Sequence, residues 1–293
     1  MTIESFERER HHLFGVAYRM LGSAVEAEDV LQDAYLRFAA HEGPVGSAKA
    51  FLTQVVVRLC LDQLKSARAR RETYVGPWLP EPLVSSIEPV PAPDARAELA
   101  ESLSLAFLVL LERLSPLERA AFLLREVFEH PFAEVAALLE TSEPACRQLV
   151  SRARHHIEAN RPRHVASEGQ KRALLAAFLQ ACASSYASAL GAVLAADVVA
   201  RSDGGGRVQA ARRPVHGRDQ VTRFILGVVK RAPKGMVSRL VRINGEPGML
   251  FEHEEGVGSA LTLTVENEMI SAVWIVVNPD KLTRAGEVSG PRH

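Results

Sequence analysis

The stretch LSPLERAAFLLREVFEHPFAEVAALLETSEPACRQLVSRARHHI, from Leu114 to Ile157, predicts three helices in succession. Ser115-Pro116 supplies an N-cap followed by proline at the first helical position, where the missing N–H costs nothing. That helix is expected to run to about Phe128, and His130-Pro131 punctuates it. Phe132, Val135, Ala136 and Leu139 recur at helical spacing on a second, short helix. A tight corner over residues 140–142 follows, and Ser142 caps a third helix with Pro144 in its first turn. Cys146, Leu149 or Val150, Ala153 and Ile157 form its buried stripe. Arg147, Gln148, Ser151, Arg152, Arg154 and His155 are left on the other faces. This is the pattern of a helix-turn-helix whose last helix enters a DNA major groove. Arginine donates in a planar fork to guanine edges or phosphates, and glutamine pairs with adenine. A helical hairpin with a solvated basic face has the same pattern, so the rest of the chain has to decide.

The totals narrow the choice. With 293 residues there is room for two or three domains. Thirty-five basic residues balance 35 acidic ones, whereas a free-standing duplex binder usually carries a basic excess. The basic side chains are instead clustered at 65–71 and 147–163, which fits a protein that meets DNA with help from a larger partner. Cys60, Cys146 and Cys182 stand alone, with no CxxC pair, so neither a disulfide framework nor a metal site is expected. The charged N-terminus shows no signal peptide, and polar residues interrupt the apolar run 173–200. The expected compartment is the cytoplasm, with no membrane span.

Two helices are expected over residues 4–39, broken at Gly22-Ser23. On the second, Val30, Leu31, Ala34, Tyr35 and Phe38 face inward, while Glu28, Asp29, Gln32 and Asp33 make a polar outer face. Such a face is a solvated surface or a docking site for a basic partner. After the loop 43–46, Ser47 to Arg71 predicts a long helix with an apolar start and a strongly basic end. Basic residues in the last turns complement the helix dipole. A second reading is that Arg58, Lys65, Arg68, Arg70 and Arg71 reach nucleic-acid phosphates.

The segments AEDVLQDAYLRF (Ala27 to Phe38) and AFLTQVVVRLCLDQLKSARAR (Ala50 to Arg70), followed by LSPLERAAFLLREVF and SEPACRQLVSRARHHI, resemble the two modules of bacterial extracytoplasmic-function sigma factors. The resemblance covers about residues 5–163. It implies that Asp29, Gln32 and Asp33 contact core RNA polymerase, and that the following loop and basic helix recognise and melt the minus-10 promoter element. Opening a duplex calls for a basic surface beside a loop, to hold unstacked bases and a single-strand backbone. By the same resemblance, Arg147, Gln148, Ser151, Arg152 and Arg154 read the minus-35 element. Cys60 stands where the family pattern has asparagine.

Residues 72–93 are rich in proline and read as an extended linker. Tyr74, Trp78 and Leu79 are unusually apolar for one, which predicts docking against another domain. GPWLPEPL (Gly76 to Leu83) resembles the linker signature of the subgroup with a C-terminal SnoaL-like extension. Beyond the joint at 161–169, one or two helices are expected over 170–196. Strands are expected at 198–201, 207–211, 237–243, 248–252, 259–265 and 269–277, with a helix at 218–230. That order indicates an α+β domain, and with SDGGG (202–206) and NPDKL (278–282) it resembles the ketosteroid-isomerase-like cone. Gly204, Gly205 and Gly206 read as a strand-to-strand turn rather than a phosphate loop. Asp203 caps that turn or, in a buried pocket, is a general base. Asn278-Pro279-Asp280 makes a second turn, followed by Lys281.

The expected organisation is therefore multidomain. Two all-α modules span 1–73 and 106–163, joined by the linker 74–105, and an α+β SnoaL-like domain spans 168–283 with a flexible tail at 284–293. The expected function is that of a sigma factor with core RNA polymerase and promoter DNA as partners, no cofactor, no metal and no covalent chemistry. Trp78, Leu79 and Pro80 are expected to dock near Asp203, Gly204 to Gly206, Asn278, Pro279, Asp280 and Lys281, so that the last domain modulates activity. Two alternatives remain open: a cone that is an enzyme or small-ligand sensor fused to a DNA-binding module, and a repressor that works without polymerase.

Overall fold

The structure, a computed structural model, describes residues 3–43, 46–87, 103–159, 166–254 and 256–287. Pro89, Pro91 and Pro93 of the linker, the joint 160–165 and the chain end 288–293 lie outside the described residues. Packing divides the chain into two units, Met1–Thr73 with Phe107–Arg161 and Tyr74–Ala106 with Pro162–His293.

The first unit is all-helical. Helix α1 (Ile3–Leu21) buries Phe6, Leu13, Val16, Ala17, Met20 and Leu21. It ends at Gly22, whose φ of 71° a side chain would strain. Ser23 then caps α2 (Ala24–Ala39) by accepting from the Glu26 amide at 3.2 Å. Helix α3 (Ala48–Glu72) packs Leu52, Val56, Val57, Cys60 and Leu64 inward against both. Cys60 is fully buried, and burial together with the nearby Glu26 pushes its thiol pKa up, so here it is a core side chain.

Helix α4 (Leu105–Leu111) leads to α5 (Pro116–Phe122), which carries a complete capping box between Ser115 and Glu118. The expected helix to Phe128 is continuous but changes character: residues 123–127 form a π turn, closed by Phe128 N–H donating to the Leu123 carbonyl at 3.0 Å. Helix α6 (Phe132–Leu138) and helix α7 (Glu143–Glu158) follow, and Glu140 turns the corner between them at φ 52°. Arg119 on α5 is buried. Its NH1 donates to the Met20 carbonyl at 2.6 Å and to Glu112 at 2.7 Å, tying α5 to the end of α1. Burial lowers its pKa to about 10.

The second unit is a seven-stranded sheet with helices on one face. Its strands are β1 (Val84–Ser85), β2 (Leu194–Asp203), β3 (Val215–His216), β4 (Val237–Ile243), β5 (Glu246–His253), β6 (Gly256–Glu266) and β7 (Met269–Val276). Their order is β1-β4-β5-β6-β7-β2-β3, antiparallel except for the β2–β7 pair. Shifts of register within the β2–β7, β5–β6 and β6–β7 pairs mark bulges, which bend a sheet. Helices α8 (Glu168–Ser184), α9 (Ala187–Val193) and α10 (Arg218–Arg231) cover one face. Leu175, Phe178, Leu190, Val221 and Ile225 meet Ala200, Leu261, Leu263, Val273 and Ile275 there. This is the α+β cone expected from the sequence.

The strand expected at 207–211 does not form. Gly205 and Gly206 adopt φ 61° and 73°, and the Arg207 amide donates back to the Gly204 carbonyl at 2.9 Å, which winds that segment into a turn and loop. The expected tail also stays attached at its start, because Ala285 is buried and its amide donates to the Leu282 carbonyl at 3.0 Å.

Candidate nucleic-acid interface and linker clasp

Ser142 caps α7 by accepting from the Ala145 amide, and Cys146, Val150, Ala153 and Ile157 make the buried stripe. The choice between Leu149 and Val150 thus falls to Val150. Arg147, Gln148, Ser151, Arg152, Arg154 and His155 are all exposed. At about 100° per residue, Gln148, Ser151 and His155 stand opposite the stripe, with Arg152 on one flank and Arg147 and Arg154 on the other.

Each arginine meets a carboxylate of its own unit. Arg147 NH2 donates to Glu143 at 2.5 Å, Arg154 NH2 to Glu126 at 2.9 Å and Arg152 Nε to Glu118 at 2.8 Å. Arg147 also stacks over the Phe132 ring at 4.9 Å. Burial raises the Glu118 carboxyl, but Arg152 and the hydroxyl and amide of Ser115 outweigh it and hold that group below the usual carboxylate range. Sequence reasoning missed all three acids. Only Glu143, four residues before Arg147, had a spacing that signals a pair.

On α3, Arg58 is exposed and ion-paired with Glu140, and Lys65 pairs with Asp62 at 2.9 Å. The helix continues to Glu72, while the side chains of Arg68, Arg70 and Arg71 lie outside the described residues. A cleft of about 780 Å³ opens beside the start of α3, lined by His41, Lys49, Phe51, Phe128 and His130 among others. On α2, Asp29, Gln32 and Asp33 are exposed on one face. Val25 and Leu36, 42% and 58% exposed, lie along it and were not singled out from the sequence.

In the second unit the linker is clasped by the cone. Asp203 is fully buried at the end of β2 and accepts four hydrogen bonds. Its Oδ1 takes the Tyr74 hydroxyl at 2.6 Å and the Gly205 amide at 3.0 Å. Its Oδ2 takes the Leu79 amide at 2.8 Å and Lys281 Nζ at 2.8 Å. Lys281 also donates to the Leu79 carbonyl and lies 4.2 Å from the Trp78 ring centroid. Asn278 Nδ2 donates to the Tyr74 hydroxyl at 3.0 Å, and its Oδ1 accepts from the Asp280 amide, shaping the turn that starts with Pro279. A Cβ at Gly205 would fall on the Asn278 amide, so the close approach of the two turns requires glycine there.

Trp78 is partly exposed, while Leu79 and Pro80 are buried. Gly204 is buried too, and Gly206 is exposed beside Val75. Further along, Val84 and Ser85 pair with Ile243 and Arg242, adding the linker to the sheet edge. Burial first, then the bond to Asp203, pushes the Tyr74 phenol up, so it stays a donor. With four donors on two oxygens, Asp203 is engaged as the anchor of the linker rather than available as a base. Tyr74, the hub of this clasp, was noted in the sequence only for its apolar character.

Among the described residues no group of three or more histidine, cysteine or acidic side chains is arranged to hold a metal. No described helix is long and apolar enough to cross a membrane.

Residues 6–70 match the family Sigma-70 region 2, and residues 104–157 match Sigma-70, region 4. The chain is 39% identical to the ECF RNA polymerase sigma factor SigJ of Mycobacterium tuberculosis, over 97% of this chain and 94% of that protein. It is 32% identical to a probable ECF RNA polymerase sigma factor, SigI, of the same species, over 95% and 93%. The crystal structure of M. tuberculosis SigJ superposes with a TM-score of 0.77 at 36% identity, covering 96% of this chain and 98% of that one.

Proposed function

The chain belongs to the extracytoplasmic-function RNA polymerase sigma factors, and from that premise we propose which of its surfaces carry out the work of such a factor. It binds core RNA polymerase and directs it to promoter DNA for transcription initiation. In our reading, the outer face of α7 enters the major groove of the minus-35 element, with Arg147, Gln148, Ser151, Arg152, Arg154 and His155 toward DNA. One observation carries this: a capped helix buried on a single stripe turns six polar side chains outward at the end of a helix-turn-helix.

The basic end of α3 and the loop before it engage the minus-10 element, where the cleft lined by Phe51, His41 and Lys49 has room for an unstacked base. Asp29, Gln32 and Asp33, flanked by apolar Val25 and Leu36, meet the polymerase. The cone modulates these activities by holding the linker at Asp203, Asn278 and Lys281. We read the whole as a transcription factor and not a catalyst; the saturated carboxylate of Asp203 supports this over an isomerase-like base.

The test is run-off transcription with purified core polymerase, using the full chain and a truncation ending after Arg163. Promoter-specific transcripts from either form support the reading, and a difference between the two gives the sign of the cone's effect. If neither form assembles with core polymerase, the reading fails.

A further inference from the structure

The three arginines of α7 are held in two different ways. Arg147 and Arg154 donate to their carboxylates through a terminal nitrogen, NH2, so the end of each fork that DNA would take is already engaged. Arg152 donates through Nε, the nitrogen on the side of the fork. Its NH1 and NH2 have no protein partner among the described residues, and the side chain is 55% exposed. An arginine held by its side with its end open is oriented for two parallel bonds to a guanine edge or a phosphate.

The acids differ as well. Glu143 lies on α7 itself with its side chain 42% exposed, and Glu126 is 27% exposed. Glu118 is 15% exposed, and its second oxygen is committed to the start of α5, accepting from the Ser115 amide at 3.1 Å and hydroxyl at 2.8 Å. Its carboxylate cannot turn away from Arg152 without breaking the cap of another helix. A flexible cation held by a fixed anion loses less rotamer freedom when it meets DNA.

We propose that Glu118 is a positioning residue for promoter recognition: anchored by the α5 capping box, it holds Arg152 side-on so that its open fork reads the minus-35 element. The proposal rests on the reading of α7 as the DNA-facing helix. It makes Arg152 the pre-set reader, while Arg147 and Arg154 must first release an acid.

The experiment measures how strongly holoenzyme, assembled from core polymerase and the full chain, prefers its promoter over one with a substituted minus-35 element. Glu118→Gln is the informative change, because glutamine still completes a capping box but carries no charge to grip Arg152. Arg152→Ala should lower the preference by roughly 5- to 150-fold, the range of a lost bidentate base contact. Glu118→Gln should lower it by roughly two- to tenfold, the range for one side chain left unordered before binding. In the Arg152→Ala background, Glu118→Gln should add nothing. An unchanged preference in Glu118→Gln beside a clear loss in Arg152→Ala overturns the proposal. So does a Glu118→Gln loss that persists without Arg152, since it reports only the helix cap. If Arg152→Ala itself changes nothing, the reading of the α7 face falls, and the proposal falls with it.

Discussion

The face of α7 and the linker clasp both rest on charged groups, yet the two are built on opposite terms. On α7 the cations are about half exposed and each pairs with one acid. In the clasp a single carboxylate, fully out of water, takes four donors from two linker residues and two turns of the cone. Exposed pairs contribute little to stability and exchange easily, as the proposed role of these arginines in meeting DNA would require. A buried charge is costly to strand once its partners are removed, which suits a joint that must hold. Where the charges sit therefore separates a surface whose pairs exchange easily from a joint whose pairs are costly to open.

The contrast can be broken most directly at the clasp. Lys281→Ala leaves Asp203 buried without its counter-charge and should destabilise the second unit by about 3–5 kcal/mol, the cost of breaking a buried pair from one side. Urea unfolding of the full chain measures it, and hydrogen exchange at the Leu79 amide should rise in parallel. A loss below about 1 kcal/mol, the range of exposed pairs, would erase the distinction.

Trp78→Ala removes the ring that meets Lys281 and should cost about 1–2 kcal/mol by the same measurement. The part of that cost that comes from the contact with Lys281 should vanish in the Lys281→Ala background.

Inside the helical unit, His12 tests burial without exchange. Its Nε2 is buried and has no hydrogen-bond partner among the described residues, and its ring lies 5.1 Å from Phe128 and 6.3 Å from His130. Burial first, then Lys49, His130, Arg19 and His11, lower its pKa to about 4. Glu134 faces the same group through its pair with His130. Because the folded value lies below the unfolded value of 6.5, this contribution is fully present above pH 6.5 and is lost as pH falls toward 4. His12→Gln should flatten that part of the stability profile, a change of about 1 kcal/mol once partial solvent contact is allowed for. An unaltered slope would show that His12 is not the group that titrates.

The smallest expected change lies on α7. Glu126→Gln should alter folding stability by less than about 0.5 kcal/mol. Arg154→Gln should leave stability similar but lower the salt dependence of promoter binding by about one unit of slope. A stability loss as large as at Lys281 would place this surface in the same class as the clasp.

Much of this was legible in the chain. Ser115-Pro116 and Ser142 fixed the starts of α5 and α7, and the apolar spacing gave the α7 stripe to within one side chain. Alternation located β4 to β7. The segment 207–211 misled because Arg-Val-Gln-Ala-Ala alternates like a strand, while the turn that excludes it is decided by φ at Gly205 and Gly206. Strands of two residues, β1 and β3, are too short to leave a period.

The partners of the site were harder to see, for a different reason. Asp203 meets Tyr74 and Leu79 across 129 and 124 residues, and Arg152 meets Glu118 across 34. Such pairs depend on tertiary packing that no local pattern encodes. Arg119, buried in the core, looks in the sequence like any surface arginine. The apolar linker residues were the one local clue, because a tryptophan between prolines has to pack on something.

The bonds of Leu83 and Leu103 to Asn244 have a mechanical consequence. Asn244 is buried between β4 and β5 and ties two points of the chain to one sheet edge, one just before β1 and one just before α4. Once one of the two is in place, the other has a shorter stretch of chain to close. The entry of β1 and the approach to α4 are therefore held or released together, by a single side chain.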